Sequence, residues 1–260
     1  MPTVDNDIAG KLALVTGASG GIGAACAKAL YLQSVNLVLT YSTNRDKIIA
    51  LQEELQGLTV LPNALSPSIS THRVDVASAE EIQRLFDDIQ HLYGKGPDIL
   101  ISNAGYGKRI RDIADISIDE FDYTLNVNLR PSFILSKLSL PHMITYGWGR
   151  IIFVSSLAAH GGGINGCHYA ASKAGLHGLM KSLATKHAKD GITVNDVAPA
   201  MIGETGLIPD EKVLEGTAGD VRNIPVGRLG TPKEVANVVM MFCQTGYLTG
   251  QTLMSRNWCT

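Results

Sequence analysis

The run Leu12-Ala-Leu-Val15, followed by glycines at 17, 20, 21 and 23, constrains the fold of this chain more than any other stretch. Four consecutive apolar residues with no polar face suit a central strand of a parallel sheet covered on both sides. The glycines permit a tight turn and let backbone N–H groups approach a ligand at the positive end of the helix predicted over 22–32. A pyrophosphate fits such a turn, and Gly17, Ser19, Gly21, Ile22 and Gly23 are the residues assigned to it.

At 260 residues the chain has the length of one α/β domain, spanning 1–260, with a large core and no linker. Its formal charge of −2, with no basic cluster, argues against nucleic acid as a partner. The apolar runs fall short of a membrane span and the polar start lacks signal-peptide features, so a soluble, cytoplasmic protein is expected. Cys26, Cys167, Cys243 and Cys259 are scattered, without Cys-x-x-Cys spacing, so neither a metal site nor a disulfide framework is indicated. Cys26 and Cys243 fall in helical patterns and read as small core residues.

Strands and helices alternate along the whole length, the pattern of a Rossmann-type, doubly wound parallel sheet with helices on both faces. The second strand, Asn36–Tyr41, ends in Tyr41-Ser-Thr-Asn-Arg45 with no acidic residue to receive ribose hydroxyls. Tyr41, Ser42 and Thr43 suit a 2′-phosphate instead, which favours NADP(H) over NAD. A helix follows from near Asp46, and 57–69 is a long connection expected to be a surface excursion. A third strand over 70–74 leads to Asp75 and Val76, where Asp75 is placed to accept from an adenine amino group. Ser78 and Glu81 form a capping box for the next helix.

The fourth strand, 98–102, opens into Asn103-Ala104-Gly105, small residues that face the same crevice as the glycine turn. Ser117 caps a long helix carrying Asn126, Asn128 and Arg130 with Pro131 inside it; an asparagine within a helix is usually a tolerated polar residue, and Asn128 gains weight if that proline kinks its backbone and its side chain fixes a water. The fifth strand, 150–156, delivers Ser155 and Ser156 at its end. After the loop 161–166, a helix beginning at Cys167 places Tyr169 and Lys173 on one face. A lysine ammonium within a few ångströms of a phenol, helped by a cationic nicotinamide ring, would stabilise the phenolate and bring its pKa from about 10 toward the working range. The sixth strand, 192–197, runs into Pro199, and 200–230 is an irregular segment beside the crevice. Pro232 opens the last helix after Thr231, and the final strand lies near 251–254.

Taken in order, Thr16-Gly-Ala-Ser-Gly-Gly-Ile-Gly23, Asp75-Val76, Asn103-Ala-Gly105, Asn128, Ser156, Tyr169-x-x-x-Lys173 and Pro199 resemble the short-chain dehydrogenase/reductase family. Within it the chain is most similar to the NADPH-dependent 3-oxoacyl-(acyl-carrier-protein) reductase type. The resemblance implies a catalytic tetrad of Asn128, Ser156, Tyr169 and Lys173. Tyr169 would protonate the substrate oxygen as hydride reaches carbon, and Ser156 would hydrogen-bond that oxygen. Lys173 would bind the nicotinamide ribose, Asn128 would hold a water leading to Lys173, and Ile202 would meet the nicotinamide carboxamide. The implied substrate is a ketone or 3-oxoacyl thioester, free or carrier-bound. The same apparatus also suits an imine, and a cofactor-binding module with little turnover is a different class of function.

The chain departs from the family pattern at Ala200, at Glu204 and at its C-terminus, which lacks the usual Asp-Gly-Gly. His160, Cys167, His168, Tyr106 and Glu204 are the expected substrate selectors, with His168 otherwise a solvent-facing helix-start residue. Arg109, Arg111, Arg130, Lys186 and Lys189 are the cations available to a carrier. A homodimer or homotetramer pairing through the helices of Asn128 and Tyr169 is also implied.

Overall fold

The computed structural model describes residues 5–60, 66–161, 163–208, 210–217 and 220–255. Seven strands form one parallel sheet: β1 (Leu12–Val15), β2 (Asn36–Tyr41), β3 (Ile69–Arg73), β4 (Ile99–Ser102), β5 (Gly149–Val154), β6 (Ile192–Pro199) and β7 (Thr252–Ser255). The helices between them are α1 (Gly21–Leu32), α2 (Arg45–Gln56), α3 (Ala79–Tyr93), α4 (Ile118–Asn128), α5 (Arg130–Tyr146), the single turn α6 (Ala158–Gly161), α7 (Cys167–His187) and α8 (Pro232–Cys243). Spatial order is β3-β2-β1-β4-β5-β6-β7. The order reverses between β1 and β4, and a crevice opens above the carboxyl ends of the strands at that point.

The apolar run of β1 has no polar position because both faces of the sheet are covered. Ala13 and Val15 pack with Cys26, Leu30, Val239 and Phe242 of α1 and α8, while Leu12 and Leu14 pack with Leu85, Ile89, Leu176 and Met180 of α3 and α7. Each such fully buried aliphatic or aromatic side chain contributes roughly 1.5–3 kcal/mol of transfer free energy. Cys26 and Cys243 are buried free thiols, and burial pushes both thiols up, Cys243 to about 12.

Several local expectations are corrected. β3 begins at Ile69, β6 runs on to Pro199, and the last strand is shifted by one residue to Thr252–Ser255. The one long helix around Asn128 is two helices that meet at Leu129. Pro131 lies in the first turn of α5, where its missing N–H removes no intrahelical bond, so it starts a helix and does not kink one. Ser78 accepts from the Glu81 N–H at 3.2 Å, but the Glu81 carboxylate takes the Asp75 N–H at 2.7 Å, leaving the box half made. Thr231 and Glu234 close theirs fully at the start of α8.

Residues 200–230 are irregular where described, with 3-10 turns at Glu211–Leu214 and Val221–Asn223. Outside the described residues lie 1–4 of the polar start, 61–65 of the long connection, Gly162, Pro209, 218–219 and 256–260 with Cys259. Among the described residues no helix is long and apolar enough to cross a membrane.

Candidate active site

The strand ends enclose one crevice of roughly 1060 Å³. Gly17, Ser19, Gly21 and Ile22 line it from the first turn, Tyr41, Ser42 and Thr43 from the end of β2, and Asp75 and Val76 from the end of β3. Asn103, Ala104 and Gly105 follow β4, Pro199 and Ile202 follow β6, and Ser156, Tyr169 and Lys173 complete the same wall. Gly23 stands behind it, so tightly packed that an added Cβ would lie 2.8 Å from Asn103 Nδ2. Asn128 also lies outside the lining, 2% exposed.

The two turns at the switch point are tied together. Thr16 Oγ1 accepts from the N–H groups of Asn103 and Ala104, each at 3.0 Å, and Asn103 Nδ2 donates to the Thr16 carbonyl at 2.9 Å. Gly17 turns with φ +65°, and a Cβ there would sit 3.0 Å from Ala104 Cα. The Asn103 side chain is therefore committed to shaping the turn. Helix α1 has no side-chain cap at Gly20, whereas Ser78, Ser117 and Thr231 cap α3, α4 and α8. Its positive end faces the crevice, with its first N–H groups open to an acceptor. Asp75 Oδ1 accepts from the Ala77 N–H at 3.0 Å, so this carboxylate shapes its own turn while lining the crevice.

At the other end, Gly166 with φ +93° starts α7 and carries Tyr169 and Lys173 inward, 5% and 4% exposed. Burial pushes the Tyr169 phenol above its ordinary value, and the Ser156 hydroxyl works in the opposite direction. Burial pulls Lys173 down to about 8, with the Asp196 carboxylate opposing. Lys173 Nζ donates to the Val154 carbonyl at 2.9 Å and lies 5.9 Å from the centre of the Tyr169 ring. Burial thus sets the direction of the phenol here, and the ammonium's hydrogen bond goes to the Val154 carbonyl.

Asn128 Nδ2 donates to the Tyr106 carbonyl at 2.9 Å and to Ser172 Oγ at 3.0 Å, and its Oδ1 accepts from the Tyr106 N–H at 2.8 Å. It clasps the loop after β4 to α7. Past β6, Met201 and Glu204 have φ of +51° and +57°, a strained stretch for residues with side chains. It is pinned where Gly230 N–H donates to the Met201 carbonyl at 3.0 Å and Gly203 N–H to the Gly230 carbonyl at 3.0 Å. Ile202 is held between them, 6% exposed.

The short chain dehydrogenase family model matches residues 11–212, most of the chain. The chain belongs to the short-chain dehydrogenase/reductase family. Members are oxidoreductases, and the family implies a nicotinamide cofactor. The chain is 36% identical over 251 residues to a 3-oxoacyl-(acyl-carrier-protein) reductase of Rickettsia bellii, covering 95% of each. It is 35% identical over 250 residues to the reductase of that name from Aquifex aeolicus, covering 94% of this chain and 95% of the other. For the Thermotoga maritima reductase of that name the figures are 34% over 248 residues, 94% and 95%.

Short-chain dehydrogenase/reductase motifs are brought to one crevice here, but the expected selectors are not all there. Tyr106 and His160 line it, whereas Cys167, His168 and Glu204 do not. His168 is not solvent-facing: it is fully buried, and among the described residues neither ring nitrogen has a hydrogen-bond partner. The turn at Gly166, with φ +93°, sends the second residue of α7 inward, its ring 3.0 Å from where a Cβ on Gly166 would stand. Arg109 lines the crevice, while Arg130 is a helix partner, its Nη1 3.1 Å from Asn126 Oδ1. Sequence reasoning missed Leu157, Ile164, Leu207 and Ile208, apolar residues of the lining that carry no motif. It also missed Thr16 as the tie between turns and Asp196, whose acidic side chain within an apolar strand was the available signal.

Proposed function

We propose that this chain is an NADPH-dependent carbonyl reductase that converts a ketone or 3-oxoacyl thioester to an alcohol, with Tyr169 as proton donor. The observation that carries this reading is a buried phenol, kept in its protonated form, on the wall of a crevice whose far end is a glycine turn with an uncapped helix. The residues present fit the cofactor. The amides of Gly21 and Ile22 suit its pyrophosphate, Tyr41, Ser42 and Thr43 its 2′-phosphate, Asp75 and Val76 its adenine, and Ile202 its carboxamide. NADPH, when bound, supplies the hydride.

The chain's own groups do the rest. Ser156 hydrogen-bonds the substrate oxygen, Tyr169 Oη gives it a proton, Lys173 contributes positive charge and ribose contacts, and Asn128 holds the Tyr106 backbone against α7. The relatives' printed names support a 3-oxoacyl substrate presented on a carrier, and Arg109 at the crevice is a cation such a substrate meets. All of 1–260 serves as one such domain, active in the cytoplasm as a homodimer or homotetramer. Ile118 and Phe133, 76% and 54% exposed on α4 and α5, support pairing there.

The test is a fluorescence titration with NADPH and NADH, followed by NADPH consumption against ketones, 3-oxoacyl thioesters and cyclic imines. Tight NADPH binding with ketone or thioester turnover is expected. Turnover of imines alone moves the substrate class. NADPH binding with no turnover of any compound overturns the reading in favour of a cofactor-binding module.

A further inference from the structure

Asp196 is fully buried within β6, the one ionisable side chain of that strand. A carboxylate there is costly unless donors and a positive charge offset it. Its closest partners are Ser155 and His177. Ser155 N–H, which makes the ladder bond to the Val197 carbonyl at 2.9 Å, is shared with Oδ1 at 3.1 Å, and Ser155 Oγ donates to Oδ2 at 2.6 Å. The Val154–Ser155 peptide unit that gives this N–H turns its carbonyl to Lys173 Nζ at 2.9 Å. One peptide therefore has the carboxylate on its donor and the ammonium on its acceptor, which puts the two charges about 8 Å apart at most. Such a chain of hydrogen bonds polarises along its length.

The groups facing Asp196 come from every packed element. β5 gives Ser155, and α7 gives Lys173 and His177, whose Nε2 is 3.0 Å from Oδ2. The segment leading to β7 gives the Gln251 carbonyl, which accepts the Asp196 N–H at 2.9 Å. His160 on α6 stacks on His177, with ring centres 4.5 Å apart, and reaches the crevice.

We propose that Asp196 is a positioning residue for the crevice chemistry: through the Val154–Ser155 peptide unit it fixes the Lys173 ammonium in place and keeps it charged at working pH. The same contacts hold Ser155, and so set the direction in which the chain presents Ser156. The inference builds on the reductase reading but is tested apart from it.

Full-length protein labelled with 13Cε-lysine, with the Lys173 signal assigned through Lys173→Met, reports the Lys173 titration without cofactor or substrate. A wild-type midpoint near 8 is expected. Asp196→Asn should lower it by about half a unit or more, and Asp196→Glu should restore it. An unchanged midpoint in a folded Asp196→Asn protein overturns the proposal. Where circular dichroism finds Asp196→Asn unfolded, Asp196→Val takes its place, and a wild-type midpoint below about 7 overturns the proposal without any variant. In NADPH-dependent turnover, the alkaline limb of kcat/KM should move down with the same variant. A shifted midpoint with no turnover in any protein leaves Asp196 as the counter-charge and removes the reductase reading alone.

Discussion

Lys173 Nζ lies 5.9 Å from the centre of the Tyr169 ring and hydrogen-bonds away from it, to the Val154 carbonyl at 2.9 Å. The two residues share a helix face, yet burial acts on them in opposite senses. It keeps the phenol protonated and makes the ammonium easier to discharge. The proposed reduction needs the proton on the phenol and positive charge on the lysine, so in that proposal the lysine sets the alkaline limit.

The pH dependence follows with a definite sign. Reductive kcat/KM should be level through neutrality and fall through about pH 8 as Lys173 loses its charge. Stability moves the other way in that window. Between about 8 and the ordinary lysine value of 10.5 the unfolded chain binds more protons, so the Lys173 contribution to stability rises with pH. Paired rate and denaturant profiles across this range check both trends.

Thr16→Val keeps the shape of a residue that is 1% exposed but removes the acceptor of two N–H groups. Each unsatisfied donor costs about 1–3 kcal/mol. Urea unfolding should register a loss of about 2 kcal/mol or more, and NADPH binding should weaken about tenfold as the two turns separate.

Tyr41→Asp places a carboxylate where a 2′-phosphate is expected. NADPH binding should weaken and NADH binding should strengthen, moving the preference by at least about tenfold. Titration of both nucleotides checks it, and an unmoved ratio removes Tyr41 from phosphate recognition.

Asp98 is a structural counterpart far from the crevice. It accepts from Lys95 Nζ at 2.6 Å and the Leu12 N–H at 2.8 Å, and lies 2.8 Å from His142 Nε2. Burial works against its charge, but Lys95, His142 and the Leu12 N–H together hold its carboxyl below the usual value. Its stabilising contribution is present above the ordinary carboxylate range and is lost as pH falls through the folded value. Asp98→Ala should cost about 3 kcal/mol in thermal or urea unfolding and leave NADPH affinity unchanged.

Much of this was legible because the chemistry is local. The apolar run of β1 and the glycines after it specify a buried strand and turn without tertiary information, and Tyr169 and Lys173 need only a helix to meet. What escaped depends on long-range packing. His168 is buried because the turn at Gly166 rotates the start of α7, and Pro131 opens a helix because the chain breaks at Leu129. Asn128 clasps Tyr106 and Ser172 because α4, the loop after β4 and α7 converge, and no spacing in the sequence records that convergence.

If the Tyr169 phenol gives the proton, a comparison of wild type with Tyr169→Phe will expose it. Single-turnover NADPH oxidation with a 3-oxoacyl thioester should fall by a factor of about 100 or more in the variant, with NADPH affinity unchanged. A Tyr169→Phe protein that reduces the thioester within a few-fold of wild type would contradict the account.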